Sequence, residues 1–569
     1  MKFQNAIVRI AGPQGEKQYL LVPGQVNSFE ELHVDFQRIE DNSGWRYTLF
    51  LHPKTDLTVL DLAVELACPA VDLFFANGFQ SWSESRLLPV DAEIRRLRKI
   101  ARPFMGLYGD DHISGIPHGP GQLHAWSYTY VVGPGGRTTY LSSLGESTGF
   151  TLFLYDHANK IMTVRKDLPG LKLSHSFPGL DFRVGQDAQQ FFADVELNRE
   201  SRMPALGWTS WYRHFTNISE SIILKNTAAI AESGLPFRYV QIDDGWQTAT
   251  GDWLSVKPEF PNGMGPVAAA IRERGLVPGL WLAPFVASAR SELVKRHPDW
   301  LLKNAGGRVI CVGWNPYWGG WFYALDFYHP AVQDYLSGVF HVILERWGFE
   351  LLKLDFLFAV CLQPPREKTR GQVMHDAMQF LRRQMGNRTM LACGVPLSAA
   401  AGNADYCRVG GDVHLHWEHR LLAVLRHRER VSTLAALRSV LGRWHLNGPA
   451  FISDPDVFIL RDDHQHFTPV QQSTVLMINA LLGGLLFTSD DVSTYTPEQR
   501  SELEEALIWS GSPVRIVTRL EADVYRILIE KSGESFAAYC NLTALPVSVP
   551  ATKNGRITLQ PFETMILKN

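Results

Sequence analysis

Residues 350–358 read ELLKLDFLF. After Glu350 the run is apolar except for Lys353 and Asp355, a cation and an anion two positions apart. Residues i and i+2 of a strand leave on the same face. Both charges therefore face one way, while Leu352, Leu354 and Phe356 pack the other way against helices. A strand covered on both faces that still ends in charges points to a βα barrel, whose reacting groups sit at strand C-terminal ends.

The sequence on either side repeats that pattern. GWTSWY (207–212) reads as strand one, followed by a helix that opens near Ser219 and stops at Gly234. YVQIDDGW (239–246) is strand two, with a helix over 264–274 closed by Gly275. VPGLWLAPF, WFYALDF and FELLKLDFLF come next as strands three to five, with helical segments such as 330–347 between them. TMLACGV, DYCRVGGDV and PAFISDPDV make strands six to eight. Eight strand–helix units in about 250 residues favour a closed (β/α)8 TIM barrel over an open doubly wound sheet.

The flanks differ. Up to about residue 200, short β-rich runs such as YTLFL and TGFTLFLY alternate with Gly, Pro, Asp and Asn turns. From about 510, VRIVTRL, VYRILIE, SFAAYC, VSVP and ETMILKN read as short strands again. The expected layout is multidomain α/β, with a β-sandwich domain at 1–200, the barrel at 201–500 and a small antiparallel β domain at 501–569.

A chain of 569 residues exceeds one ordinary core, which agrees with several domains. Its net charge of -3 gives no electrostatic case for nucleic acid or an anionic membrane as partner. The 16 Trp and 17 Tyr raise a carbohydrate ligand only slightly, because such rings also fill cores. Cysteines 68, 311, 361, 393, 407 and 540 form no CxxC pair, which argues against a zinc ribbon or disulfide scaffold. MKFQNAIVRIAG lacks the apolar core of a signal peptide and no 18-residue apolar run exists, so a cytoplasmic location is expected. No G-x-G-x-x-G or P-loop pattern opens a helix, leaving a nucleotide site unsupported.

Charges recur at the strand ends: Asp243 and Asp244 after strand two, Asp326 after four, Lys353 and Asp355 on five, Arg408 and Asp412 after seven, Asp454 and Asp456 after eight. Each such charge costs on the order of several kcal/mol unless paired. A satisfied ion pair explains any one of them; the set points to chemistry. Two carboxylates, one ionised and one protonated, are the minimum for glycoside hydrolysis. A cation beside Asp355 is expected to lower its pKa and keep it anionic, as a nucleophile requires. Asp412 lies in Gly410-Gly411-Asp412-Val413, a loop able to bring a carboxyl to the other side of a bond. Arg408 would orient it or hold a hydroxyl. The spacing leaves retention and inversion both open.

Other runs carry bland and functional readings side by side. HLHWEH (414–419) is a polar rim beside Asp412 more readily than a metal site, and no metal is expected. Asp490-Asp491 suits a cap or loop role. NGFQSWSES (77–85) contains a tight-turn signal, yet Gln80, Trp82 and Glu84 would suit a loop reaching over the barrel mouth. The run WNPYWGGWFY (314–323) reads as a saccharide rim or a packed loop. Cys393 reads as a buried thiol.

Taken together, GWTSWYRHF (207–215), IDDGWQ (242–247), LKLDF (352–356), CRVGGDV (407–413), ISDPDV (452–457) and LLFTSDDV (485–492) resemble the melibiase-type α-galactosidase clan of glycoside hydrolases. They occur in the clan's order across the barrel. The N-terminal region is similar to the β-supersandwich of bacterial α-galactosidases. The resemblance implies that Asp355 is the nucleophile and Asp412 the acid/base of a retaining double displacement. It further implies that Asp243 and Asp244 grip galactose hydroxyls and that Lys353 and Arg408 bond to others. Trp211 would line the sugar subsite, with Cys393 on its O2 or N-acetyl side. Trp281, at the head of WLAPF, and Trp82 are counted with the substrate-binding residues.

Two motifs depart from the clan: WLAPF (281–285) replaces a glutamate-rich W-x-E-P-E, and LACGVPLSAAAG lacks a Gly/Ser-rich galactose-binding loop. The chain is also shorter than those enzymes. A related α-hexosidase, such as an α-N-acetylgalactosaminidase, or a transglycosylase is therefore the alternative, ahead of a non-catalytic carbohydrate-binding barrel. The implied partner is a carbohydrate substrate, with no cofactor and with a homo-oligomer left open.

Overall fold

The structure, a computed structural model, describes residues 1–168, 170–195, 203–551 and 555–569. Its centre is a ring of eight parallel strands in sequence order: β1 (Ala205–Thr209), β2 (Phe237–Ile242), β3 (Val277–Leu282), β4 (Leu351–Leu354), β5 (Thr389–Ala392), β6 (Tyr406–Arg408), β7 (Ile452–Asp454) and β8 (Leu485–Thr488). β8 pairs with β1 through Ala205–Leu485 to Trp208–Thr488. Backbone hydrogen bonds from Gly484 to Ser453 and from Phe458 to Phe487, each 2.9 Å, complete the ring between β7 and β8.

Two strand assignments from the sequence change. WFYALDF is not a barrel strand. Gly320–Ala324 runs antiparallel to Cys311–Asn315 and to Val286–Ser288 in a three-stranded sheet inserted after β3. The cause is local. Asn315 caps the Tyr317 amide at 3.0 Å and Gly319 is left-handed, so PYWGG turns the chain straight back on itself. A strand returning antiparallel cannot enter a parallel ring, so Asp326 lies outside the barrel. The eighth strand is instead LLFT, and ELLKLDFLF supplies the fourth rather than the fifth.

The helices follow their end signals. Ser219 Oγ accepts the Ile222 amide to open Glu220–Glu232, and Met264–Glu273 stops ahead of Gly275 at φ 76°. No helix among the described residues is long and apolar enough to cross a membrane.

Ahead of the barrel, two antiparallel sheets face each other. Val8, Val64 and Phe153 of one meet Val34, Leu51 and Phe182 of the other in a shared core. After the barrel, Val514–Glu521, Val524–Lys531, Glu534–Asn541 and Thr564–Lys568 form a smaller antiparallel sheet.

One N-terminal loop reaches the barrel mouth. The Ser81 amide donates to Val395 O at 2.8 Å. Arg443, fully buried, donates to Asn77 Oδ1 and to the carbonyls of Gln80, Ser81 and Val409. One guanidinium thus ties NGFQSWSES to the end of β6.

Candidate active site at the barrel mouth

β4 ends at Leu354, and the two residues after it leave strand geometry. Leu352 and Leu354 are fully buried, while Lys353 and Asp355 face the mouth. Phe356 takes a left-handed backbone, φ 53° and ψ 30°. That conformation costs about 1–3 kcal/mol in a non-glycine residue and clusters at functional sites. It also breaks the alternation, so Phe356 lines the mouth instead of packing outward. Its amide donates to Asp355 Oδ1 at 2.9 Å, and Trp281 Nε1 of β3 donates to Asp355 Oδ2 at 3.0 Å. Both carboxylate oxygens are therefore held.

The charge on Asp355 differs from the expectation. Burial pushes its pKa up, more than Lys353 pulls it down; Asp412 adds to the rise, while Trp281 and the Cys393 thiol oppose it through hydrogen bonds. Lys353 Nζ is committed elsewhere, donating to Asp243 Oδ2 at 2.8 Å. Burial opposes the charge on Lys353, but Asp243 raises its pKa overall. Asp244 accepts from Trp318 Nε1 and Gln247 Nε2, each at 2.7 Å. Burial nevertheless lifts the Asp244 carboxyl to about 6.

A second cluster surrounds Arg408 at the end of β6. Its guanidinium bonds Asp412 Oδ1 at 2.7 Å, Asp454 Oδ2 at 3.1 Å and Asp456 Oδ1 at 2.7 Å. Tyr212 OH donates to the other Asp456 oxygen. One cation cannot neutralise three carboxylates. Burial therefore raises Asp456 despite Arg408, and Asp412 and Asp454 add to the rise. Asp412 is the most open of the three, its side chain 36% exposed against 0% and 2% for Asp454 and Asp456.

These groups share one cavity of about 530 Å³, lined by Asp243, Asp244, Trp281, Lys353, Asp355, Asp412, Trp211 and Trp82, among others. Such a volume suits a small-molecule pocket. Trp211 and Tyr317 meet edge to face at the rim (ring centroids 5.2 Å apart), and Tyr317 stacks on Phe215. The aromatic run 314–323 thus serves as both rim and packed hairpin.

The sequence model of the Melibiase family matches residues 198–381. An α-galactosidase of Escherichia coli is 28% identical over 196 residues, covering 33% of this chain and 26% of that protein. The α-galactosidase AgaA of Geobacillus stearothermophilus is 34% identical over 193 residues, covering 32% of this chain and 25% of that protein. These sequence matches span about a quarter of either relative's length. The α-galactosidase TtGalA of Thermus thermophilus, solved with p-nitrophenyl α-D-galactopyranoside, superposes along nearly its whole chain. It is 29% identical, with 88% of this chain and 98% of that one covered and a TM-score of 0.70. Residues 198–381 thus carry a melibiase-type glycoside hydrolase segment, and the whole chain is similar in fold to an α-galactosidase.

Within the barrel, eight of the ten site residues named from the sequence line this cavity. The other two sit behind its wall. Cys393 is fully buried; its sulfur accepts from Trp82 Nε1 at 3.2 Å. Arg408 is 2% exposed and orients Asp412. In the N-terminal loop, only Trp82 of the three polar or aromatic candidates reaches the cavity. Gln80 accepts the Trp82 amide at 2.8 Å and Glu84 is held by Arg430 and Arg438. His414 and His419 stand on the rim beside Asp412. Asp490 takes the structural role expected, accepting from Arg461 at 2.6 Å and from the Leu460 amide at 2.7 Å. Sequence reasoning missed Tyr108, His427 and Glu429 in the cavity wall. Their segments carry no motif, and a charged run such as RHRER (426–430) reads as solvated surface.

Proposed function

We propose that the protein is an α-galactosidase that hydrolyses terminal α-linked galactose with retention. The observation that carries this reading is that Asp355 and Asp412, from the ends of β4 and β6, open into one cavity. They do so under different constraints. Asp355 is held on both oxygens, as an attacking group must be, while the more open Asp412 is held through Oδ1 by Arg408. The two complexes of the Thermus enzyme, with p-nitrophenyl α-D-galactopyranoside and with stachyose, support the substrate class.

In the first step an Asp355 oxygen attacks the anomeric carbon, and the bond to the leaving oxygen breaks as Asp412 gives that oxygen a proton. In the second, Asp412 takes a proton from water, the water oxygen attacks the anomeric carbon, and the bond to Asp355 breaks. Asp243, Asp244 and Lys353 would bind the galactose hydroxyls and Trp211 its apolar face. Trp281 and Phe356 keep Asp355 aimed. The divisions at 1–200, 201–500 and 501–569 belong to the same reading, with catalysis in the middle part.

The test is a panel of aryl α-glycosides (galactose, N-acetylgalactosamine, glucose) with wild type and Asp355→Ala, the first-formed anomer being read by NMR. Galactose released first as the α anomer by wild type alone supports the proposal. A β anomer, or undiminished cleavage by Asp355→Ala, rejects the mechanism. Cleavage of another sugar in preference rejects the specificity.

A further inference from the structure

After the Asp412 loop the chain forms a short helix, Arg420–Val424, and returns along the mouth through residues 427–432. The Ser432 amide donates to Asp412 O at 2.9 Å, so this return segment lies beside the acid/base loop. It places His427 and Glu429 in the cavity wall, neither of which the proposed reaction uses.

His427 is only 5% exposed, and neither of its ring nitrogens has a hydrogen-bond partner among the described residues. The Glu429 Oε2 atom stands 3.8 Å from its Nε2, too far for a hydrogen bond. Most buried polar side chains are paired. Among the described residues with unpaired buried polar atoms, His427 is the one that lines this cavity, so its imidazole asks for a partner that enters there. Glu429 is half answered: Oε1 accepts from Ser83 Oγ at 2.6 Å. Gly109 makes room for that carboxyl, since a Cβ there would lie 2.2 Å from Oε1. The Tyr108 ring, 5.8 Å from that of His427, continues the wall toward Phe356.

We propose that His427 and Glu429 form a second polar subsite that binds hydroxyls of the leaving-group sugar, selecting α-galactosides of oligosaccharides over those with an apolar leaving group. This rests on the α-galactosidase reading. The position follows from the chemistry: the acid/base delivers its proton to the leaving oxygen, so the segment against Asp412 faces what departs. Both groups suit neutral hydroxyls. Burial, then Arg430, lowers His427 to about 3 and keeps it uncharged. Burial, then Asp110, lifts Glu429 to about 7 against Ser83 and Arg428, leaving an acid O–H to donate below that pH.

The experiment compares kcat/KM for melibiose, whose leaving group is glucose, with kcat/KM for p-nitrophenyl α-galactoside. His427→Leu should lower the melibiose-to-aryl ratio about tenfold, as the loss of one hydrogen bond does. In wild type the ratio should also fall between about pH 6 and about pH 8, as Glu429 loses its proton. Glu429→Gln, whose amide keeps a donor, should flatten that fall. Glucose is a poorer leaving group than p-nitrophenolate and needs the general acid more. The difference between the wild-type and Glu429→Gln profiles therefore reads Glu429, and an equal fall in both overturns the proposal. A wild-type ratio that is level with pH overturns the proposal, as do parallel losses on both substrates in His427→Leu. Should His427→Leu fail to fold, the wild-type and Glu429→Gln profiles decide. Wild type cleaving neither substrate would instead reject the α-galactosidase reading itself.

Discussion

Lys353 Nζ lies 2.8 Å from Asp243 Oδ2, joining the fourth barrel strand to the end of the second. Both side chains are under 10% exposed, at 8% and 4%. The cation beside Asp355 thus has its close partner on another strand. Removing it should cost more than it does at a surface pair, because Asp243 would be left buried and uncompensated. Lys353→Met is expected to destabilise by about 3–5 kcal/mol. Adding Asp243→Asn should recover much of that loss, which chemical denaturation of the single and double variants measures. Additive losses would reject the coupling.

Asp355 must lose its proton to attack, while burial favours the protonated form, so the fold and the chemistry pull in opposite directions. Its folded pKa lies above the unfolded value because burial outweighs Lys353. A raised carboxylate binds its proton more tightly in the folded state, so ionising it at neutral pH subtracts from stability. Asp355→Asn should therefore raise the melting temperature at neutral pH while lowering kcat/KM roughly 10³-fold or more. An unchanged or lower melting temperature would show that the hydrogen bonds from Trp281 and Phe356 need the charge.

Asp244 gives the same effect in a defined window. Its carboxyl stands at about 6 in the folded protein, against an ordinary value of 3.8. The folded state holds the extra proton between those values, so stability falls as pH rises from about 4 to about 6, by up to about 3 kcal/mol. Asp244→Asn should lose that slope, which denaturation midpoints across the window would show. Identical slopes in both proteins would place the titration elsewhere.

The barrel and its reactive ends were legible because both signals are local. Alternation at Lys353 and Asp355 and the rule that charges gather at strand ends need only a few residues each. The hidden features depend on partners far along the chain. The Trp314–Trp321 hairpin is the exception: its turn PYWGG is local, but flanking runs with the composition of a barrel strand outweighed that signal. Lys353 next to Asp355 looked like a pair because sequence proximity stood in for distance, whereas Asp243 comes from two strands away around the ring. Arg408 and Asp412 were legible as i and i+4, but Asp454 and Asp456 join them only once β7 lies against β6. The wall formed by Tyr108, His427 and Glu429 joins segments more than three hundred residues apart, for which no spacing rule exists.

Gly394 is where the barrel, the N-terminal loop and the strained residue after Asp355 converge. Its φ is 57°, and a Cβ there would lie 2.9 Å from Trp82 Cζ2 and 3.0 Å from the Phe356 amide nitrogen. The Trp82 ring packs edge-on against Phe356, with centroids 4.9 Å apart, and its indole N–H is taken by Cys393. An added methyl must push on the ring or on the backbone that aims Asp355. Gly394→Ala is therefore expected to cost about 1 kcal/mol for the left-handed backbone alone, with the close contacts adding to it. It should also lower kcat/KM more than the milder Trp82→Phe, which keeps a ring in the wall and loses only the bond to Cys393. Trp82→Ala is the poorer probe, because truncating a tryptophan this buried costs about 3–5 kcal/mol in itself. Thermal melts and steady-state kinetics on Gly394→Ala and Trp82→Phe separate the cases. Wild-type kinetics in Gly394→Ala would mean that Trp82 can yield without disturbing Asp355.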